Sequence, residues 1–307
     1  TCAATTDTVL LTNYDVPAIA KAGADQKHCN DSIFTMAANK PTEFGAYGRW
    51  SVVGKPTWAT VTDTTLNTTK VKVLAGHTAT LVWTISNGTC AATTDTVLLT
   101  NYDVPAIAKA GADQKHCNDS IFTMAANRPT EYGAKGTWSV VGKPTWATIT
   151  DTTLNTTRVR VLAGHTATLV WTITNGTCAA TTDTVLLTNY AIPAVAKAGA
   201  DQKHCNDSIF VMAANKPTEY GAKGTWTVIG KPSWVTITDS TLNTTMVKVL
   251  AGHTATLLWT ISNGTCAATT DTVLLTNFEV PAIAKAGADQ KHCNDSIFTL
   301  SLIHISE

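Results

Sequence analysis

The sequence lacks what several classes of protein need. Charged residues make up only 14% of it, the formal net charge is zero, and no run of Lys or Arg interleaves with aromatics. A phosphate-binding surface needs such a run, so nucleic acid is not an expected partner. No apolar run approaches the roughly 20 residues of a spanning helix, so membrane insertion of this segment is not expected. The eight cysteines never form a C-x-x-C pair, and a single Cys with one adjoining His (His28-Cys29) is half a zinc site at most, so no metal or other cofactor is expected. There is also no sustained helical period and no Gly/Ser-rich tether.

What is present is repetition. The chain copies itself every 88 residues: Cys2, Cys90, Cys178 and Cys266 form one series, and Cys29, Cys117, Cys205 and Cys293 the other. Between residues 16–103 and 104–191 only nine positions differ, most of them mildly, as in Lys40 to Arg128, Val61 to Ile149 and Ser86 to Thr174. The period divides the chain into residues 1–15, the last strand of a truncated module; modules 16–103, 104–191 and 192–279; and 280–299, the start of a further truncated module. Both ends read as cut. The last eight residues, 300–307, are what CTGTCTCTTATACACATCTCCGAG encodes. This matches the transposase adapter of sequencing libraries, so they and His304 are set aside as an artefact.

Two cysteines per module at fixed phase fit disulfides better than buried thiols or metal ligands, and disulfides imply an oxidising compartment outside the cytoplasm. All eight are candidates for structural bridges. Short runs of Val, Ile, Thr and Trp between Gly, Pro, Asn and Asp predict an all-β module. Seven strands are expected at 18–26, 32–38, 48–53, 57–62, 69–74, 79–86 and 91–99, enough for a sandwich. In the sixth, Leu81, Trp83 and Ile85 alternate with Thr80, Val82 and Thr84 and should face the core. In the fifth, Val71 and Val73 should point inward and Lys70 and Lys72 outward; Arg158 and Met246 stand at the position of Lys70 in later copies, as an exposed site allows. Asn87-Gly88 suits a two-residue hairpin turn. Modules meet through only Tyr102-Asp103-Val104-Pro105, so the array should hinge little and form an extended, stiff rod.

Three segments carry a resemblance. Ala20-Lys21-Ala22-Gly23-Ala24-Asp25-Gln26-Lys27-His28-Cys29 resembles the A-x-A-G-P-D-Q-x-x-C opening of bacterial PKD-like modules, with Ala24 in place of Pro. Gly48-Arg49-Trp50 and Leu81 through Cys90 are similar to the G-x-W and W-T-I-S-N-G-x-C segments of PKD-like and immunoglobulin-like repeats in large surface proteins and gliding-associated adhesins of Bacteroidetes-type bacteria. The W-D-F-G-D-G motif of polycystin-type domains is missing. The resemblance implies tandem immunoglobulin-like β-sandwiches, an extracellular or cell-surface location, a stalk or adhesive role with neighbouring modules as partners, and no catalytic residues.

Two disulfide pairings fit such a topology. Cys29 with Cys90 has the spacing of the bridge between the second and sixth strands of immunoglobulin domains. Yet Cys29 precedes the second strand and Cys90 follows the sixth, which would place them at opposite ends of the sandwich. A staple between successive modules, Cys29 with Cys178 and Cys117 with Cys266, is therefore preferred, with the intramodule bond as the alternative.

Other chemistry is sparse. Asp63, Asn67 and Asn87 read as turn residues. Asp25, Asn30 and Asp31 cluster at one corner in a way calcium could use, though short of a full ligand set. The recurrent His77, His165 and His253 have no partnered nucleophile, so the chain is not expected to be an enzyme. Trp50 and Trp83 belong to the core. Trp58, after Lys55-Pro56, is the tryptophan expected to be exposed, and with Trp146 and Trp234 it could contact surface glycans multivalently. Three functional readings follow: a spacer or adhesive stalk, a carbohydrate-binding array, or the stalk of a secreted hydrolase.

Overall fold

The structure is a computed structural model that describes residues 2–286, 289–291, 293 and 297. The segment 300–307 set aside above and most of 292–299 lie outside the described residues. Among the described residues there is no helix, and none is long and apolar enough to cross a membrane. By contacts the chain divides into two compact units, with Gln114 and Leu187 in one and Lys115 and Thr188 in the other.

In the first copy, seven strands form: β1 (Gln26–Cys29), β2 (Ile33–Thr35), β3 (Tyr47–Val52), β4 (Ala59–Val61), β5 (Lys70–Val73), β6 (His77–Ser86) and β7 (Thr93–Tyr102). They make a four-stranded sheet in the order β1-β7-β6-β3 and a three-stranded sheet in the order β2-β5-β4. Between the two sheets lies the core. Phe34, Val71 and Val73 come from the smaller sheet, and Trp50, Leu81, Trp83, Ile85, Val97 and Leu99 from the larger, all fully buried or nearly so. Strict alternation produces this. β5 reads exposed-buried-exposed-buried, and β6 buries Leu81, Trp83 and Ile85 as its sequence period requires. Directly paired across β3 and β6, Trp50 and Trp83 have ring centroids 5.0 Å apart. Gly48 permits this packing, because a Cβ there would run into the Trp83 ring.

The second copy repeats the plan as β8 (Gln114–Cys117), β9 (Ile121–Thr123), β10 (Lys135–Val140), β11 (Ala147–Ile149), β12 (Arg158–Val161), β13 (His165–Thr174) and β14 (Thr181–Tyr190). The third does so as β15 (Gln202–Cys205), β16 (Ile209–Val211), β17 (Lys223–Val228), β18 (Val235–Ile237), β19 (Met246–Val249), β20 (His253–Ser262) and β21 (Thr269–Phe278). Their cores contain the same residue types at equivalent positions.

Two expectations need correction. The strand placed at 18–26 is not one: residues 18–25 carry no strand, and the ladder begins only at Gln26, where β1 runs parallel to β7. Side chains stand in for backbone partners over 18–25. Ala20 N–H donates to Thr93 Oγ1 at 3.1 Å and Ala22 N–H to an Asp95 carboxylate oxygen at 2.7 Å. From the other side Asn39 accepts from Lys21 N–H through Oδ1 and donates to Ile19 C=O through Nδ2. Gly23, at φ 96°, breaks the extended run.

The tight hairpin expected at Asn87-Gly88 is absent as well. Ile85 pairs with Thr93, and residues 87–92 form a longer loop in which Gly88 has positive φ and Asn87 does not. The Asn87 side chain is engaged elsewhere and is fully buried.

Candidate functional site

The most constructed feature outside the cores is the joint between successive copies. In the sheet of the first copy, Cys29 ends β1 directly opposite Tyr102 at the end of β7, and Asn30 N–H donates to Tyr102 C=O at 2.9 Å. From the second copy comes the loop after β13. There Cys178 N–H donates to Asn175 C=O at 3.0 Å, closing a turn through Gly176 at φ 54°. The two surfaces meet in three ways. Asn175 Nδ2 donates to Asp103 C=O at 3.0 Å, a bond made from a side chain only 1% exposed. The Tyr102 ring lies so close over Gly176 that a Cβ would overlap it. Cys29 and Cys178 are joined by a disulfide, their Cα atoms 4.9 Å apart, inside the 4.4 to 6.8 Å range such bonds use.

The same set recurs one period on. Cys117 is bonded to Cys266 with Cα atoms 4.9 Å apart, Asn263 Nδ2 donates to Ala191 C=O at 2.9 Å, and Tyr190 lies over Gly264. At residues 14–15 the non-covalent part appears alone. Asn87 Nδ2 donates to Asp15 C=O at 3.0 Å and Tyr14 covers Gly88, while Cys90 is a free thiol near Tyr14 C=O. The Asn and Tyr contacts thus form without the covalent bond. The Tyr–Gly packing was not foreseen, although Tyr102 and the Asn-Gly pair recur at fixed phase.

The intramodule pairing is not formed: Cys29 bonds Cys178, and Cys90 stays reduced. Cys2, Cys205 and Cys293 are free thiols too. Both bridges join residues 149 positions apart, and for each free cysteine the position that distance away in the bonding direction falls outside residues 1–307.

Trp58 is 36% exposed and Trp146 37%, while Trp50 is 1% and Trp83 0% exposed. Trp234 is half-buried. The Trp58 indole is fixed: Nε1 donates to Thr78 C=O at 3.0 Å, and one ring face stacks on His77 with centroids 4.8 Å apart. Trp234 stacks on His253 at 4.6 Å in the same manner. The recurrent His therefore backs a tryptophan, an arrangement the sequence alone did not suggest. Beside His77 lies a cleft of about 280 Å³ to which Lys27, Thr100, Tyr102 and Tyr132 contribute.

The corner considered for calcium uses its carboxylates on backbone. Asp25 Oδ1 accepts from Leu98 N–H at 2.8 Å, and Asp31 Oδ1 from Ile33 N–H at 3.2 Å. Among the described residues no group of three or more His, Cys, Asp or Glu could hold a metal ion. His28, next to Cys29, stacks on Phe34 with centroids 4.0 Å apart. Of the three residues read as turn residues bonding local backbone, Asp63 does so, its Oδ1 accepting from both the N–H and the hydroxyl of Thr65, whereas Asn67 Nδ2 donates to Ala38 C=O and Asn87 Nδ2 to Asp15 C=O, both distant in sequence.

No family model matches this sequence, and no curated protein matches it. Solved structures do. The crystal structure of Dpr2 Ig1-Ig2 in complex with DIP-Theta Ig1-Ig3 is 10% identical, with a TM-score of 0.50, over 87% of this chain and 100% of that one. The eight N-terminal Ig domains of Down Syndrome Cell Adhesion Molecule are 11% identical over 86% of this chain, with a TM-score of 0.49. Sidekick-1 immunoglobulin domains 1-5 are 10% identical over 88% of it, with a TM-score of 0.45. The chain spans 37% and 60% of those last two structures. At such identities the likeness speaks to fold alone. Together with the sheet topology it defines the class: the chain consists of tandem immunoglobulin-like β-sandwich modules.

Proposed function

We propose that this chain is a structural and adhesive repeat segment of a large secreted or surface-attached bacterial protein, built from modules 16–103, 104–191 and 192–279. It acts as a stiff spacer that projects or multiplies a binding activity. The observation that carries this reading is the covalent staple at each joint, Cys29 to Cys178 and Cys117 to Cys266. A disulfide, a buried Asn-to-carbonyl bond and a tyrosine packed on glycine at one four-residue connection leave little freedom to hinge. Two disulfides support an oxidising, extracytoplasmic location. The PKD-like motifs support the bacterial origin, and adhesion proteins are among the structures that share the fold. Digestion without reductant followed by peptide mapping tests the reading. Cross-linked peptides containing Cys29 with Cys178 and Cys117 with Cys266 are expected, and a Cys29–Cys90 peptide would overturn the staple.

A second reading rests on the outward, rigidly held Trp58 and its copies Trp146 and Trp234. At Trp58 one indole face is covered by His77 while the residue stays 36% exposed, which supports stacking on a sugar ring, with repetition supplying avidity. Binding on a glycan array that disappears on joint replacement of the three tryptophans by alanine would favour it. Absence of any glycan signal from the unmodified chain would remove it.

A further inference from the structure

The two bridges overlap in sequence. Each joins residues 149 positions apart, longer than the 88-residue period, so the second bridge opens at Cys117 before the first closes at Cys178. Three stretches of chain therefore connect one bridge to the other in parallel: 29 to 117, 117 to 178, and 178 to 266. The middle one, running from 117 to 178, is the shortest, and it bounds how far the two bridges can ever separate.

We infer that the interleaved bridges are a redundant stop on extension, making the array a load-bearing tether whose lengthening by unfolding of its sandwiches is capped at less than half the length of the reduced chain. The inference rests on the stapled-spacer reading. With both bridges closed, the shortest covalent route enters at Cys29, crosses to Cys178, runs backward to Cys117, crosses to Cys266 and leaves. From residue 1 to residue 307 that route holds about 130 residues, or ~450 Å at roughly 3.5 Å per extended residue, against ~1,070 Å for the reduced chain. The redundancy comes from the overlap. If only Cys29–Cys178 remains, the route passes forward from 178, and if only Cys117–Cys266 remains, it arrives forward at 117. Either way it lengthens by only about 27 residues, or ~95 Å. Loss of the second bridge then releases about 149 more. Two bridges closing separate, non-overlapping loops would each release the whole of their own loop instead.

The test is force-clamp extension of the full chain, held at its two ends without added thiol, on material whose bridges have first been mapped by peptide analysis. Fully extended length is expected to hold at ~450 Å, rise about 1.2-fold in Cys29→Ser and equally in Cys117→Ser, and rise about 2.4-fold in the double variant or on adding reductant to the unmodified chain. The reductant arm keeps the test decisive if a serine variant fails to fold. Failure to map the bridges would defeat the stapled-spacer reading itself. If the bridges map but the chain lengthens under sustained load beyond ~450 Å without added thiol, the stop is overturned while the staple stands. The free thiols Cys90 and Cys205 would then have attacked the bridges, each attack forming a new disulfide as it releases one old cysteine as a thiol, so that the bridges move to smaller loops and the length settles between ~450 Å and the reduced value.

Discussion

Asp63, Asp151 and Asp239 show how single side chains hold these modules together. The Asp63 and Asp151 carboxyls are held below the usual carboxylate range, first by the N–H and then by the hydroxyl of the Thr two residues on; for Asp239 the hydroxyl comes first. A group whose pKa is depressed by folding stabilises the folded state above its unfolded pKa, and that contribution is lost as pH falls through the folded pKa. Stability is thus expected to be level above about pH 5 and to decline as pH drops through about 4 and below. Replacing the three by Asn, which keeps an acceptor but removes the titration, should flatten that decline, as read from urea midpoints at a series of pH values. Gly48 makes a different kind of residue-scale demand. A methyl group there meets the Trp83 ring, not the end of a flexible side chain. Gly48→Ala should therefore cost about 1–3 kcal/mol of module stability, measurable by denaturant unfolding. The G-x-W spelling was legible in the sequence. That its glycine serves the tryptophan of a different strand became visible only once β3 and β6 were paired.

At the scale of elements, the sequence was most legible where burial alone decides. β5 and β6 alternate strictly because one face of each is in the core, and their register follows from that period. Residues 18–25 look like a strand by composition but bond through Thr93, Asp95 and Asn39, and no periodicity of their own records that. The loop 87–92 misled for a similar reason: the Asn-Gly pair that favours a tight turn is instead used to grip the preceding copy through Asn87 and Gly88. A local preference was overridden by a contact some seventy residues away in sequence. Asn39 tests this account of the first segment. Its side chain both accepts from Lys21 N–H at 2.7 Å and donates to Ile19 C=O at 3.0 Å, so Asn39→Ala strands one donor and one acceptor. A loss of about 1–3 kcal/mol is expected. Asn39→Asp, which keeps the acceptor for Lys21 but loses the donor to Ile19, should lie between. Equal stability of all three forms in urea would show that the Asn39 bonds do not hold residues 18–25, leaving that to the Thr93 and Asp95 bonds and to packing of Ala20 and Ala22.

For the whole molecule the question is whether the three modules behave as independent bodies. Each has its own core with the same residue types, so cut free of one another they should melt alike and separately, as repeats coupled only through nearest-neighbour interfaces do. The bridges change that coupling. Cys29–Cys178 and Cys117–Cys266 both enclose most of the middle module, so unfolding any one module in the oxidised chain frees less conformational entropy than it would alone. In the loop-closure account a bridge spanning so many residues is worth about 4–5 kcal/mol, with the overlap preventing the two from adding simply. Calorimetry reads this directly through the ratio of van't Hoff to calorimetric enthalpy, which is one for a single cooperative unit. The reduced, alkylated chain is expected to give a ratio near one third, as three independent and near-identical modules would. The oxidised chain should melt at higher temperature with a ratio well above that, because the middle module cannot open without loading both of its neighbours. An oxidised chain that melted higher but kept a ratio near one third would mean that the bridges restrain the unfolded chain while leaving the folded modules energetically separate. The bridges would then raise stability without making the three modules one cooperative unit.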